Sequence, residues 1–556
     1  MNQFQKCLHE IKIIEEWGQK KLILLIFIFS LSLSIQRKAL GGGTEYGLEG
    51  AETVARGGAN TAKASGPESL YLNPAGISKG SGIKILIDSN FISARMTAKL
   101  FGDEEPVGNG EESWLVPGDG TIKYVSVSNS TDVYPGEFKM FPSPIAGISF
   151  KVPRFEKLAI ALALLSPAAL GSYQFPETVA VSTEQVDCSL PESKNEAVCK
   201  LPSPQRYDLI KEDVLFVWPT ISLSYKLTEQ LAFGGGFQWG IFHAVFKSAV
   251  NNGVVSTPRS YTNDTLSTID VWDIFVPAGI LGMVWSPTNR IEFGFSVRVS
   301  DKVKAEGKLV AITNPWGDDP ISSDDPSLTW MDEAPYHRPK GYLTFTWPTT
   351  VWRMGIRYFH PLKNRPRGNT WDLPSWKTEL FDIELDFFVE QNHVAETMDV
   401  RVDGQIPYGR NYGEANDFHP ESGGVAKLRR NWQDVISVRL GGSVNLLKGH
   451  LTLNWGGFYE SPTVNDADTR LDYLGNKRFG ITLGLQGRLY DFSAGKKKMT
   501  IETTISYAHF FFPEISVRDG KIRHIAYIGE SGTVINNGDY DFAMDILTAG
   551  IRITLL

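Results

Sequence analysis

No stretch of this 556-residue chain is apolar for long enough to cross a bilayer as a helix. The longest run, Leu22 to Ile35, falls short of the ~20 residues a spanning helix needs. A mean hydropathy of −0.16 also excludes a bundle of membrane helices. Basic residues are in deficit: 55 Lys and Arg against 63 Asp and Glu leave a net charge of −8, without the basic face that nucleic acid requires. The nine His are scattered, with no pair at metal-ligand spacing, so neither a metal nor another cofactor is expected. No fixed period recurs, which excludes a propeller or solenoid. Cysteine is scarce, at three.

The apolar run follows Lys20 and Lys21 and ends in small residues, the pattern of an export signal. Residues 1–39 are therefore expected to be a signal peptide cleaved after Ser34 or Ala39. Export bears on the cysteines. Cys7 lies in the signal, leaving Cys188 and Cys199 around a polar loop-like stretch. An even pair in an oxidising compartment predicts a disulfide, the alternative being two free thiols.

What the chain has instead is alternation. In Leu231–Phe246, Leu231, Phe233, Phe237 and Trp239 share one face, and Ala232, Gly234, Gly236 and Gln238 the other. Phe381, Ile383 and Leu385 alternate with Asp382, Glu384 and Asp386, and the last strand repeats the pattern to Ile553 and Leu555. About fourteen such segments fill residues 83–556, including 157–175, 290–308, 341–359 and 377–400. Many exceed the ~10 residues of a membrane-crossing strand, where sandwich strands average about six. Glu292, Arg298, Arg353, Arg357, Asp382, Glu384, Arg439, Arg488, Glu502 and Arg552 all fall on the polar face. A dry soluble core cannot hold so many ions, whereas a hydrated lumen can. Short connections (PRFE, TEQ) alternate with long polar ones, as in an outer-membrane barrel. The connection HPLKNRPRGNTWDLPS is long on the short side and breaks that rule. The expected class is all-β: a transmembrane antiparallel β-barrel of about fourteen strands.

Ahead of the strands lies RGGANTAKASGPESLYLNPAGISKG (56–80), too small-sided to form its own core. Small residues let a backbone press against surrounding walls. Asn73 before Pro74 predicts a capped helix start with Pro at the first helical position. This segment resembles the N-terminal hatch of the FadL/TodX family, outer-membrane transporters of long-chain fatty acids and other hydrophobic compounds. Asn431-Trp432-Gln433-Asp434, Gly457-Phe458-Tyr459-Glu460-Ser461-Pro462, Trp347-Pro348 and the Gly279 and Gly294 strands around SPTNR are similar to the family's later pattern. The ending Leu555-Leu556 departs from the aromatic terminus usual in such barrels, which bears on how the barrel-assembly machinery reads the last strand.

The resemblance implies residues 40–82 as a hatch (plug) inside a barrel of residues 83–556. It implies a monomer in the outer membrane, among its lipid and lipopolysaccharide. It further implies uptake of a hydrophobic small molecule: capture at the loops, passage beside the hatch and lateral exit through the wall. Asn73, Pro74, Ala75 and Gly76 would then belong to the moving hatch element. Trp114, Phe138 and Trp316 are candidate ligand-capture aromatics, with girdle anchoring or loop packing as the alternative. Two other classes remain: a general porin, which needs no small-residue plug, and a surface enzyme or adhesin acting through its loops. Gly76-Ile77-Ser78-Lys79-Gly80 matches the G-x-S-x-G nucleophile elbow, but a strand follows it where the elbow needs a helix. Glycines at 234–240 are read as space for hatch atoms. Asp382, Glu384 and Asp386 are either a cation site or partners of lumen arginines. No catalytic residue is expected.

Overall fold

In this computed structural model, the described residues are 46–101, 124–129, 140–166, 171–182, 198–251, 264–316, 320–326, 328, 330–331, 334–346, 350–362, 371, 373–395, 397–406, 425–473, 475–494, 497–523 and 534–556. The expected signal peptide, Trp114, Phe138, Cys188 and Trp347-Pro348 lie outside them, and the side chain of Cys199 is likewise not described.

Fourteen strands close into one antiparallel barrel. They are β1 (Ile83–Phe101), β2 (Phe141–Val152), β3 (Phe155–Leu165), β4 (Lys211–Thr228), β5 (Leu231–Asn251), β6 (Asp264–Trp285), β7 (Ile291–Ser300 and Val303–Thr313) and β8 (Lys340–Phe345 and Thr350–Pro361). The circuit continues through β9 (Glu379–Glu390 and Thr397–Asp403), β10 (Val425–Arg429 and Val435–Leu446), β11 (Leu451–Glu460), β12 (Arg478–Ala494), β13 (Lys497–Phe511) and β14 (Gly538–Leu555). β1 closes the ring by pairing with β2 on one side and β14 on the other, Ile83 opposite Leu555. The chain therefore enters and leaves at one end, the turn end, and the long connections gather at the loop end.

Period-two side-chain placement sets the two faces. Leu281, Ile481, Leu483 and Ile505 project outward and are more than half exposed. All ten ions expected on the polar face point inward. An exposed apolar band around a closed barrel is satisfied only by lipid, so the wall spans a membrane. Its shortest uninterrupted strand, β11, has 10 residues, enough at the usual tilt for a band roughly 25 Å tall.

The strand boundaries differ from expectation on one side of the barrel. The segment expected at 290–308 is two pieces parted at Asp301 and Lys302; that at 341–359 is parted after Phe345; that at 377–400 opens with a helical turn, Ser375–Thr378, and breaks after Glu390. A bulge between Asp273 and Val276 in β6 and a gap at 430–434 in β10 continue the same line. Below this line the outer face is apolar; above it Lys304, Glu306, Lys308 and Arg401 are exposed. The interruptions mark where the wall leaves lipid and continues as a water-facing collar.

Residues 46–82 fill the lumen at the turn-end half, nearly all of them buried. They form α1 (Ala51–Ala55), α2 (Ser69–Leu72) and two short 3-10 turns. As expected, Asn73 is extended (φ −158°) and caps the Pro74–Ser78 turn: its Oδ1 accepts the Ala75 N–H at 3.2 Å, with Pro74 in the first helical position. Ser78 is buried and its hydroxyl donates to the Ala75 carbonyl at 2.8 Å, so the G-x-S-x-G match is not a nucleophile elbow.

Candidate functional site

The site is the contact between hatch and wall, and it begins with glycine. A Cβ on Gly234 would meet the Ala75 nitrogen at 2.4 Å, and one on Gly282 the Asn73 Oδ1 at 2.1 Å. Around the ring, Gly294 faces Thr61 and Ala62, Gly441 and Gly456 face Arg56, Gly484 faces Ala55 and Gly147 faces Pro67, all within 2.8 Å of an added Cβ. Wall positions without side chains let the hatch backbone lie directly on the sheet.

Ion pairs then clamp it. On β9, Asp382 meets Arg56 at 2.7 Å, Lys63 at 2.8 Å and Arg357 of β8 at 3.3 Å. Glu384 accepts the Ala62 N–H at 2.6 Å and lies 3.3 Å from Arg56. Asp386 accepts the N–H groups of Asn60 (3.0 Å) and Thr61 (2.9 Å). Elsewhere Lys79 pairs with Glu292 at 3.1 Å, Arg552 with Glu52 at 3.3 Å and Glu68 at 2.5 Å, and Asp88 accepts the Ala51 N–H at 2.9 Å. Arg439 donates to the carbonyls of Tyr46 (2.8 Å) and Gly57 (3.3 Å). The β9 carboxylates thus pair with a lumen arginine, as one expected alternative had it, and more with the hatch itself. The expected hydrated, ion-lined lumen is corrected at its turn-end half: the plug fills it, and the ions there are buried in pairs with the hatch or, as for Arg488 and Glu502, with each other.

Asn73 fixes the hatch corner to the wall. Its Nδ2 donates to the Thr61 carbonyl at 2.9 Å and to the Met283 carbonyl of β6 at 3.0 Å. The Ser224 hydroxyl of β4 donates to the Ala75 carbonyl at 3.0 Å.

Above the hatch the lumen changes character. On the β4 to β8 side, Val214, Phe216, Trp218, Phe242, Ala244, Ile269, Val271, Val303, Ala305 and Leu343 form one buried apolar cluster that reaches down to Leu70, Tyr71 and Leu72 of α2. At its foot Arg298 lies 4.7 Å from the Trp218 ring centre, and Arg353 lies 5.1 Å from Tyr71 and 5.3 Å from Phe388.

Beside this cluster the described residues leave part of one strand seam without a partner. β2 pairs with β1 from Phe141 to Phe150, but with β3 only from Ala146 onward among the described residues. Pro142 and Pro144, which have no N–H to donate, stand in the stretch without a β3 partner. One hydroxyl bond crosses there instead, Ser143 to the Ser166 carbonyl at 3.0 Å, and Ser166 in turn donates to the Phe216 carbonyl of β4 at 3.4 Å. β3 is described as far as Leu165, and pairing with β4 resumes at Ser172–Gln174, within the expected 157–175. On the lipid side, Ala146 lies in a groove of about 530 Å³ flanked by Ile148, Leu162 and Trp239.

The chain was compared with known proteins by family model, by curated sequence and by solved structure. No family model matches, and no curated protein matches. Solved structures do. A Pseudomonas aeruginosa FadL homologue superposes over 93% of this chain and 99% of its own, with a TM-score of 0.59 at 12% identity. The toluene transporters TbuX of Ralstonia pickettii (TM-score 0.54, 12% identity, 91% of this chain and 98% of that one) and TodX of P. putida (0.53, 13%, 91% and 97%) match as widely. The chain has the fold of these channels. At such identities the likeness is one of fold, barrel and plug together, carried by few shared residues.

At the loop end, Trp316 packs partly buried against the cluster of Tyr173, Phe175, Tyr207 and Leu209, 5.8 Å from the Arg206 guanidinium. That is the loop-packing alternative. Arg206 and Tyr207 both hold Asp264 at 2.7 Å, and Arg470 holds Asp208 at 2.9 Å, so separate loops are tied together. Sequence reasoning missed three parts of this site: the clamp partners, the apolar cluster above the hatch, and the β2/β3 gap. For the gap a signal existed, in Phe141-Pro142-Ser143-Pro144.

Proposed function

We propose that this protein is an outer-membrane channel that takes up hydrophobic small molecules, passing them beside the hatch and out sideways between β2 and β3. The observation that carries the reading is the buried apolar cluster that descends from the loops to α2 and lies behind the stretch of β2 without a described β3 partner. A solute partitioning into that cluster never meets the charged half of the lumen, and the outer groove beside Ala146 offers it an apolar landing in lipid. The toluene transport of TbuX and TodX supports the same reading by likeness of fold. An aqueous porin is a poorer fit, because a clamped plug occupies the polar half of the barrel.

The test is uptake of a labelled long-chain fatty acid and of toluene into proteoliposomes. Ala244→Trp, which fills the cluster, is expected to stop both. Equal uptake by the Ala244→Trp protein and the native one would rule out this route.

A further inference from the structure

The connection between β8 and β9 is the one turn-end link that is long, and nothing in the transport route uses it. Its described part, Trp371 and residues 373–378, does not trail away from the barrel but folds back under the hatch. The Trp371 indole N–H donates to Glu292 Oε1 of β7 at 2.6 Å, and its carbonyl accepts the N–H of Gly80, where the hatch runs into β1. Glu292 also holds Lys79, and Lys79 sits 6.0 Å from the Trp371 ring centre. The ring, 3% exposed, packs in a separate apolar cluster with Ala75 of the hatch corner, Ala232 of β5 and Val284 of β6. Trp376 reaches the other way. It lies against Gly449 in the β10/β11 turn, where an added Cβ would meet its ring at 2.8 Å, and under Arg488 of β12 at 5.4 Å. Between the two tryptophans and the hatch is a polar cavity of about 130 Å³ lined by Glu52, Lys63, Lys79, Glu379 and Arg552.

We propose that Trp371 is a positioning residue for the hatch, and that Trp371 together with residues 373–378 is a second closure of the barrel at the turn end. It is a wedge from outside the hatch that supports the Asn73-Pro74-Ala75 corner from below. A solute that shifts this corner can move it toward the apolar cluster and the β2/β3 gap, while the axial path stays shut. The wedge requires that the hatch is a plug, but not that the cargo is hydrophobic.

Ion conductance of the full-length protein in planar bilayers tests it, with heat-modifiable gel mobility reporting a closed barrel. Trp371→Ala is expected to raise open-channel events several-fold over the native background, and Trp376→Ala to do so without touching the Glu292 bonds. Trp371→Phe keeps an aromatic ring and the backbone carbonyl while losing the indole N–H and the five-membered ring that carries it, so it is expected to leak less than the Ala variant. Folded Trp371→Ala and Trp376→Ala barrels that both stay as silent as the native protein would overturn the wedge. So would a leak in Trp371→Phe equal to that of Trp371→Ala. Conductance is read without any hydrophobic cargo, so a native protein that takes up neither fatty acid nor toluene leaves this result standing on its own.

Discussion

Asp382→Asn is the change that bears hardest on the clamp. Asp382 is 1% exposed and meets three cations: Arg56 and Lys63 of the hatch, and Arg357 of the wall. The amide keeps the shape and removes the charge, leaving Arg56 with Glu384 at 3.3 Å and Lys63 with Glu52 at 3.6 Å. Removing one partner of a buried pair costs about 3–5 kcal/mol, because the remaining charge stays desolvated. The barrel does not bear that cost. β9 keeps its backbone pairing with β8 and β10, so the strain falls on seating of the hatch. A shift of about 3 kcal/mol lowers the seated-to-unseated ratio by more than a hundredfold. The assay is single-channel conductance, with a protein lacking Ala51–Gly76 setting the upper limit of an open lumen. Asp382→Asn is expected to flicker between the native silence and that limit while its heat-modifiable mobility stays native. Adding Lys63→Met removes one stranded cation and is expected to restore part of the silence. A folded Asp382→Asn barrel as silent as the native protein would refute the argument that these ions hold the plug.

The other predictions concern fit, exit and the loops. Gly282→Ala places a methyl 2.1 Å from Asn73 Oδ1 and is expected to lift the hatch corner from β6 at a cost of about 1–3 kcal/mol, read as more rapid hydrogen exchange in peptides covering 73–78. Pro142→Val with Pro144→Val returns two donors to β2 and is expected to slow uptake several-fold without changing conductance; unchanged uptake would move the exit elsewhere. At the loop end, burial opposes charge on Asp472, but Arg430 and Arg470 outweigh it and hold its carboxyl below the ordinary range. Such a group stabilises the folded loops above its unfolded pKa of about 3.9 and loses that contribution as pH falls through its folded value. Burial pushes Asp208 the other way, so the effect is cleanest in Asp208→Asn: protection at 470–473, with exchange corrected for the intrinsic rate at each pH, is expected to fall on acidification below the unfolded pKa and to stay flat in Asp472→Asn.

The barrel was legible because one face of each strand meets lipid and the other the lumen, which writes bulk and charge at alternate positions. Gly234 was legible in the same way: a bare inward position marks where another backbone must lie. The strand breaks were not, since Asp301-Lys302 continues the alternation while it changes the solvent outside from lipid to water. Trp371 was invisible because its partners, Gly80 and Glu292, are distant in the chain and only the closed ring brings them together.

The lumen was misread for a more general reason. Asp382, Glu384 and Asp386 on an inward face look the same whether water or a counter-charge meets them. Burial without either costs so much that one must be present, and alternation along a strand carries no information about which. The deciding residues were in the hatch. Arg56, Lys63 and Lys79 interrupt a segment in which Gly, Ala, Ser, Thr and Asn predominate. A plug that served only to fill space would have no use for three long cations, and their position in a small-sided segment is the part of the sequence that answers the carboxylates of the wall.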